Sequence, residues 1–340
     1  MAVSVREVAG AAGVSVGTVS NVLNRPDKVA PDTVARVMEA IDRLGFVRND
    51  AARQLRAGRS RTIGLVVLDL RNPFFTEVAR GAEERASPEG LTVLVANSDE
   101  QHEREAIHLD LFEQQRVFGV LVTPVAENVQ KLRRMRDRGI PTVFVDRESH
   151  DPSFASVAVD DVEGGRIAAQ HLLDIGRRRV AFVGGPASIR QVSDRLDGAQ
   201  RAVAAGGKGA TLEFIGTSAL TVEEGRLAGL RIIERDRAAR PDALFAANDL
   251  LAIGLLQSLV MTHDLRVPDD IALIGYDDIG FARAAVVPLS SVRQPAALIG
   301  STAVELLADI SRGQARAGEH VVFRPELIVR ETTVRGVKGE

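Results

Sequence analysis

Cysteine is absent from all 340 residues, which excludes disulfides and thiolate metal sites. Nothing approaches the roughly 20 consecutive apolar residues of a membrane-spanning helix. The first residues carry Arg6 and Glu7 and no apolar run, so they do not read as a signal peptide and a cytoplasmic location is expected. The phosphate-cradling patterns GxGxxG and GxxxxGK[ST] are missing, and Gly184-Gly185-Pro186 is too little to stand in for them. The six histidines, at 102, 108, 150, 171, 263 and 320, are scattered and lack HExxH spacing, so no metal site is expected. No serine and aspartate pair has an obvious histidine partner for a triad. A nucleotide-dependent enzyme is therefore disfavoured, and no cofactor or catalytic residue is assigned.

What is present is an uneven charge distribution. Residues 1–61 hold ten Lys or Arg against six Asp or Glu, a balance of +4, so the remainder carries −7 of the total −3. A basic head on an acidic body points to a polyanionic partner for the head. Within it, Val5, Val8 and Ala12 fall three and four apart, Gly13 breaks the run, and Ser15 caps a second helix in which Val16, Val19, Leu23 and Val22 recur at helical spacing. Two short helices about a tight turn read as a helix-turn-helix. Pro31-Asp32-Thr33 starts a third helix with an apolar stripe of Val34, Val37, Met38, Ile41 and Leu44, ended by Gly45. The stretch 46–61 carries Arg48, Arg53, Arg56, Arg59 and Arg61 around a thin apolar set of Ala51, Ala52 and Leu55. Such a basic, weakly helical linker is suited either to ordering on DNA or to serving as a plain hinge.

From Thr62 onward short apolar runs alternate with helical patterns. The expected strands are Ile63–Leu68, Leu91–Ala96, Gly119–Thr123 and Thr142–Val145, then Val180–Gly184, Leu212–Ile215, Ala243–Ala246 and Ile271–Tyr276, with Glu326–Val329 last. The pattern predicts an α/β core of two doubly wound parallel sheets. In open sheets of this kind ligands sit beyond the carboxyl ends of the strands, which places a site in the cleft between the two.

The runs REVAGAAGVSVGTVSNVLNRP, NDAARQLRAGRSRTIGLVV, DLRNPFF, VAFVGG, FAANDLLAIGLL and IGYDDIGFA, in this order and spanning the chain, resemble the lactose/galactose repressor (LacI/GalR) family of bacterial transcription regulators. The resemblance implies an all-α headpiece over 1–46, a hinge helix over 47–61 and a core like a periplasmic sugar-binding protein over 62–340. The core divides into an N-subdomain of about 62–160 and 293–322 and a C-subdomain of about 161–292 and 323–340. It further implies a homodimeric repressor that reads a palindromic operator in double-stranded DNA, because a two-fold interface imposes its symmetry on the site.

The side chains near the start of the second helix, Val16 and Gly17, with Asn21 one turn on, are the expected base readers, positions the resemblance also marks. Asn pairs with adenine and Val meets a thymine methyl, whereas Gly17 has no side chain to read with. Ser15, Thr18, Ser20 and Asn24 are short polar groups suited to phosphates, as are Ser4, Arg6 and Thr33. In the family a hinge-helix leucine wedges into the minor groove; here that is Leu55, with Ala52 small enough for close approach. Arg48 departs from the proline common before the asparagine, and Arg56 is larger than the usual residue, adding a phosphate contact or crowding the groove.

A sugar site wants fork donors, carboxylates and an aromatic wall. Phe74 is the expected wall, with Phe75 assigned to the core. Asp146, Asn248 and Asp277 follow or end strands, and Arg195 is read as opening a helix after the loop beyond VAFVGG. Asn248 and Asp277 are also candidates for capping the helices after them, and Arg195 for an ion pair with an aspartate. The family places Arg190, Gln191, Ser193 and Leu220 on loops facing the cleft, Leu220 standing in for an aromatic. One Arg with several Asp argues for a neutral polyol, a monosaccharide or derivative, with a nucleobase as the alternative. The expected mechanism is a ligand-shifted switch between DNA-competent and DNA-incompetent states. The competing reading is a solute-binding protein without a DNA role, which the basic helical head disfavours. No leucine heptads follow Pro325, so no tetramerising helix is expected.

Overall fold

The computed structural model describes residues 3–46, 60–125, 129–206, 209–261, 265–314 and 318–334. The chain divides into two compact units, Met1–Ser60 and Arg61–Glu340. The first holds three helices, α1 (Val5–Ala12), α2 (Val16–Asn24) and α3 (Pro31–Leu44), with a short 3-10 turn at Pro26–Lys28. Ser4 starts α1 in a capping box: its hydroxyl accepts from Glu7 N, and a Glu7 carboxylate oxygen accepts from Ser4 N at 2.7 Å. Gly13 adopts φ 64°, the left-handed bend that lets the chain reverse. Val8, Ala9, Ala12, Val19, Val22, Val37 and Ala40 form the core of this unit.

Val16, placed in the apolar spacing of α2 and also expected as a base reader, is 42% exposed. One stripe position is corrected: Met38 is 44% exposed, while Ala40 is buried in α3. The reason is width: helices this short pack a stripe only two or three residues across, and the flanking apolar side chains are left outside. The expected hinge helix, with Arg48, Ala52, Leu55 and Arg56, lies outside the described residues.

The second unit is built on two six-stranded sheets. The first takes β1 (Thr62–Val67), β2 (Thr92–Asn97), β3 (Gly119–Val122), β4 (Thr142–Val145) and β5 (Ala155–Val159). Its helices α4 (Pro73–Ala86), α5 (His102–Gln114) and α6 (Gln130–Asp137) follow β1, β2 and β3. The chain then passes to the second sheet through α7 (Asp161–Asp174), β6 (Arg179–Gly184), α8 (Arg190–Ala205), β7 (Thr211–Gly216), α9 (Val222–Ile233), β8 (Ala243–Ala246), α10 (Asp249–Met261), β9 (Ala272–Asp277), α11 (Gly280–Ala284) and β10 (Ser290–Arg293). It returns through α12 (Ala296–Ser311) and β11 (His320–Phe323) to the first sheet, and ends with β12 (Glu326–Ile328) on the second.

The strand orders are β11-β5-β4-β3-β1-β2 and β12-β10-β9-β8-β6-β7. Every pairing is parallel except β10 with β12. Three crossings thus tie the lobes, after β5, after β10 and after β11. The strands are short apolar runs buried throughout in β3, β4, β5 and β8, as expected where helices cover both faces of a sheet. Strand β5 and the whole return from β10 through β11 have no counterpart in the sequence-based list of elements. Helix α12, AALIGSTAVELLADIS, is apolar nearly all round and buries Ile299, Ala303, Val304, Leu306, Leu307 and Ala308, so it lacks the one-sided stripe that marks a helix in sequence.

Helices α7 and α8 approach closely through reciprocal glycines. A Cβ on Gly165 would meet the backbone oxygen of Arg195, and one on Gly198 the backbone oxygen of Val162. This contact sets Arg195 opposite Asp161. Gly165→Ala is expected to force the pair apart and lower stability by about 1–3 kcal/mol, the usual range for overpacking. A denaturant midpoint equal to that of the parent protein would show that the helices are free to separate.

Candidate functional site

In the first unit, Ser15 caps α2 by accepting from Thr18 N at 3.0 Å, and its hydroxyl lies 2.9 Å from that of Thr18. Val19 and Val22 turn inward, which leaves Val16, Gly17 and Asn21 exposed together on the opposite face. Asn24 Nδ2 donates to Ser20 O at 2.7 Å, and Arg6 is exposed in the first turn of α1. Thr33, in the first turn of α3, is half-buried. Ser4 has its hydroxyl committed to Glu7 at 2.8 Å. The arrangement is a helix with a fixed N-terminus and a small, uncharged outward face, flanked by short hydroxyl and amide groups.

In the second unit the carboxyl ends of the two sheets face a common cavity. Its walls include Asn72, Phe74, Phe75, Asp146, Gln191, Arg195, Leu220, Asn248, Asp277 and Gln294, with Leu68, Asp69, Glu100 and Ile189 completing them. The cavity volume is about 40 Å³, room for a few waters. Phe74 and Phe75 meet edge to face, with centroids 5.1 Å apart, at the start of α4, where Asn72 Oδ1 accepts from Phe74 N at 3.0 Å.

Arg195 is the centre of the polar wall. Its Nε donates to Asp161 Oδ1 at 2.7 Å and one Nη to Ala247 O at 2.8 Å, while Asp277 lies 3.9 Å away. The guanidinium also lies 3.6 Å from the centroid of the Tyr276 ring, a cation over an aromatic face. Asp277 accepts from Asn72 Nδ2 at 2.9 Å and from Gln294 Nε2 at 2.8 Å. Asp146 accepts from Gln191 Nε2 at 2.8 Å through its backbone oxygen and at 2.9 Å through its carboxylate. Asn72 and Asp146 belong to the first sheet's lobe, Asp277 and Gln191 to the second's, so two side-chain bridges already join the lobes across the cavity.

Electrostatically the cavity is starved of cations. Burial pushes the Asp146 carboxyl well above its usual range, the charge of Asp161 adding to this and Arg195 opposing it. Burial likewise raises Asp161 and Asp277, again against the pull of Arg195. For Arg195 itself burial works against the charge, but Asp161, Tyr276 and Asp277 more than offset it and the guanidinium stays firmly protonated. Asp146 Oδ1 and Gln294 Oε1 are buried without a hydrogen-bond partner, two acceptors turned to the same space. Glu100 at the rim is raised by burial and by the charge of Asp69.

The structure brings together Phe74, Asp146, Gln191, Arg195, Leu220, Asn248 and Asp277. Arg190 instead lines an adjoining chamber and pairs with Asp194 at 2.8 Å, and the Ser193 hydroxyl donates back to Arg190 O at 2.7 Å. Three placements are corrected. Arg190, Gln191 and Ser193 lie in the first turn of α8 and not on a loop, because α8 begins at Arg190; Arg195 is accordingly one turn inside the helix rather than at its start. Phe75 lines the cavity as well as the core, since successive residues at a helix start diverge by only 100°. The capping alternative holds for Asn248, whose Oδ1 accepts from Leu251 N at 2.9 Å, but not for Asp277, since α11 has Ile279 as its N-cap and no side-chain cap; Arg195 is ion-paired, as the remaining alternative had it. Sequence reasoning missed Asn72, Asp161 and Gln294. Asn72 sits inside the quoted NPFF run and was within reach; Gln294 stands in the crossing after β10 with no motif around it.

Comparison with known proteins identifies the class. Residues 4–49 match the bacterial regulatory proteins of the lacI family, and residues 169–333 match the periplasmic binding protein-like domain. The ribose operon repressor of Bacillus subtilis is 34% identical over 332 residues, 97% of this chain and 98% of that one. The lac repressor dimer bound to operator and the anti-inducer ONPF superposes with a TM-score of 0.84 at 26% identity, over 98% of this chain and all of the other. The complex of the transcriptional regulator CelR with cellobiose gives 0.69 at 32% identity, over 97% and 99%. The chain belongs to the LacI family of DNA-binding transcriptional regulators, whose members answer to small-molecule effectors and are not enzymes. Among the described residues no helix is long and apolar enough to cross a membrane.

The buried Asp146 gives a pH test. Its folded-state pKa lies above the unfolded 3.8, so what this group contributes to stability is full below pH 3.8 and is lost as pH rises through the folded value. Asparagine also tolerates the left-handed backbone found here, φ 58°. Asp146→Asn is expected to raise the melting temperature by roughly 2–4 °C at pH 8, with the gain shrinking steadily toward pH 4. A gain equal at both ends of that range would mean that the carboxylate is not the source.

Proposed function

We propose that this regulator represses transcription as a cytoplasmic homodimer on a palindromic operator, and that a monosaccharide-sized effector in the cleft controls its affinity for DNA. The observation that carries the effector half is the cavity itself: aromatic rings at one wall, Arg195 and buried carboxylates at the other, and hydrogen bonds from lobe to lobe across it. Phe74 and Phe75 take the apolar ring face. Asp146, Arg195, Asn248 and Asp277 take the hydroxyls with Gln191 and Gln294, and Leu220 closes the far side. Arg190 and Ser193 act from outside the wall.

For the DNA half, Val16 and Asn21 read base edges while Gly17 gives clearance for the helix to approach. Ser15, Thr18, Ser20 and Asn24 hold phosphates, with Ser4, Arg6 and Thr33 in support. Leu55, flanked by Ala52 and Arg56, supplies the minor-groove wedge. Residues 1–46 form the reader and 47–61 the hinge. Within 62–340 the lobes divide near residues 160, 293 and 322, at the three crossings. The effector changes the relative placement of the lobes and thereby the pairing of the hinges.

Gel shifts with a library of palindromic duplexes test this reading. Binding is expected to fall steeply with salt, as neutralised phosphates release counterions. Asn21→Ala is expected to lose about 5- to 100-fold in affinity for the preferred site and little for random DNA. Loss of the shifted band on adding a sugar identifies an inducer, and a stronger band a corepressor. Residues 62–340 alone are expected to keep a sugar-dependent rise in melting temperature and to lose the shift. A full-length protein without salt-sensitive preference for any palindrome overturns the reading.

A further inference from the structure

We propose that Asp278 anchors the hinge between the two lobes: it fastens two of the three crossings to the second lobe and leaves the turning to Gln294-Pro295 and Arg324-Pro325. The inference rests on the reading of the lobes as the moving parts of the switch. It adds where they turn and which side chain holds the turning point.

The anchor is one carboxylate shared by two guanidiniums. Asp278 follows β9, and its side chain is 5% exposed. Its Oδ2 accepts from Arg293 Nε at 2.8 Å, with Nη2 of the same guanidinium at 2.7 Å. Its Oδ1 pairs with Arg330 Nη1 at 2.6 Å. Arg293 is the last residue of β10, where the chain is about to leave the lobe. Arg330 lies just past β12, where the chain has come back. Arg293 also reaches Glu326, the first residue of β12, at 3.4 Å, and stands opposite it in the antiparallel β10–β12 pair. Arg330 is tied down further, its backbone N–H to Ser290 Oγ at 2.7 Å and Nη1 to Leu289 O at 2.6 Å. A single acid thus holds the departing and the returning strand to the end of β9, through charge-assisted bonds shielded from water.

The fastening stops at the lobe boundary. Gln294-Pro295 comes directly after Arg293, and Arg324-Pro325 directly before Glu326. The β10–β12 ladder ends on the Arg293–Glu326 pair, and a proline has no N–H with which to extend it. Beyond these steps α12 begins at Ala296 and β11 ends at Phe323, both in the first lobe. The crossing after β5 joins the same bundle, since Asp160 N donates to Phe323 O at 3.0 Å. What lies next to the anchor decides what its movement reaches. Asp277 and Gln294, bonded at 2.8 Å, line the cavity, while their chain neighbours Asp278 and Arg293 meet outside it. Cavity wall and turning point therefore occupy adjacent residues of the same two chain segments.

Spin-label distance measurements on the full-length protein test this, because a chain without cysteine takes labels only where cysteine is introduced. Glu103→Cys on α5 and Gln200→Cys on α8 put one label on each lobe, with labelled subunits diluted in unlabelled protein. The parent is expected to give one narrow distance distribution. Asp278→Asn is expected to broaden it at least about twofold. The same change is expected to lower the melting temperature by roughly 5–10 °C, because two guanidiniums lose their carboxylate. Asp278→Asn combined with Arg293→Gln and Arg330→Gln separates fastening from stability. With all three charges gone the melting temperature is expected to return toward the parent's, while the distribution stays broad. Should Asp278→Asn alone fail to fold, Arg293→Gln is expected to show the same broadening and Arg293→Lys to show less. A broad distribution in the parent, or a narrow one in the neutral combination, overturns the inference. A narrow parent distribution in a protein without operator preference overturns the proposed function alone.

Discussion

One buried guanidinium holds the effector lobe in register. Arg195 is sealed between Asp161, Asp277 and the face of Tyr276, and a buried charge left without its partner typically destabilises a protein by about 3–5 kcal/mol. The fold therefore has to deliver those groups together. It does so by the close approach of α7 and α8, by ending β9 on Asp277, and by setting Tyr276 one residue earlier, with its ring on the same side as the α7 helix. A second buried acid, Asp249, extends the arrangement: it accepts from Ser291 Oγ at 2.7 Å and from Ile279 N at 2.8 Å, tying α10, β10 and the loop after Asp277 into one unit. The site is rigid because its charges have nowhere else to go.

The groups expected to meet the effector are already partners of one another. Asn72 reaches across to Asp277, and Gln191 reaches across to Asp146. A sugar entering this space exchanges amide donors for hydroxyl donors on the same carboxylates. The net free energy is then a difference between two satisfied states and not the full strength of either. Such an exchange suits a switch, where only differential affinity between states moves the equilibrium. Gln294 stands in the crossing after β10, so one of the three connections between the lobes is bonded directly to Asp277.

Much of this was legible in the chain. The alternation of short apolar runs with helical stretches located β4 and β8 to the residue, and strand ends located Asp146, Asn248 and Asp277, because chemistry at the carboxyl end of a parallel strand follows from the architecture. Helix α12 was not legible, since a helix apolar nearly all round carries no one-sided stripe, and strand β5, ASVAV, mixes small residues and Ser156 into its apolar run. Arg195 was recognised but misplaced by a turn: RQVSD at the start of α8 has no capping residue, its N-cap being Ile189, so the helix start left no mark. Gln294 escaped because its role depends on long-range geometry, a lone amide in a crossing that happens to pass Asp277. In the headpiece the apolar period was right except at Met38, which lies at the edge of the α3 stripe and faces outward.

Asp146, Asp277 and Asp278 all stand at positive φ, at 58°, 101° and 53°. Backbone of this kind disfavours most residues with a side chain by roughly 1–2 kcal/mol; glycine escapes the cost, and short polar Asp and Asn bear it best. At Asp277 that cost is outweighed by what the carboxylate holds, Asn72, Gln294 and Arg195, so a glycine there would unseat the guanidinium along with the ligand site.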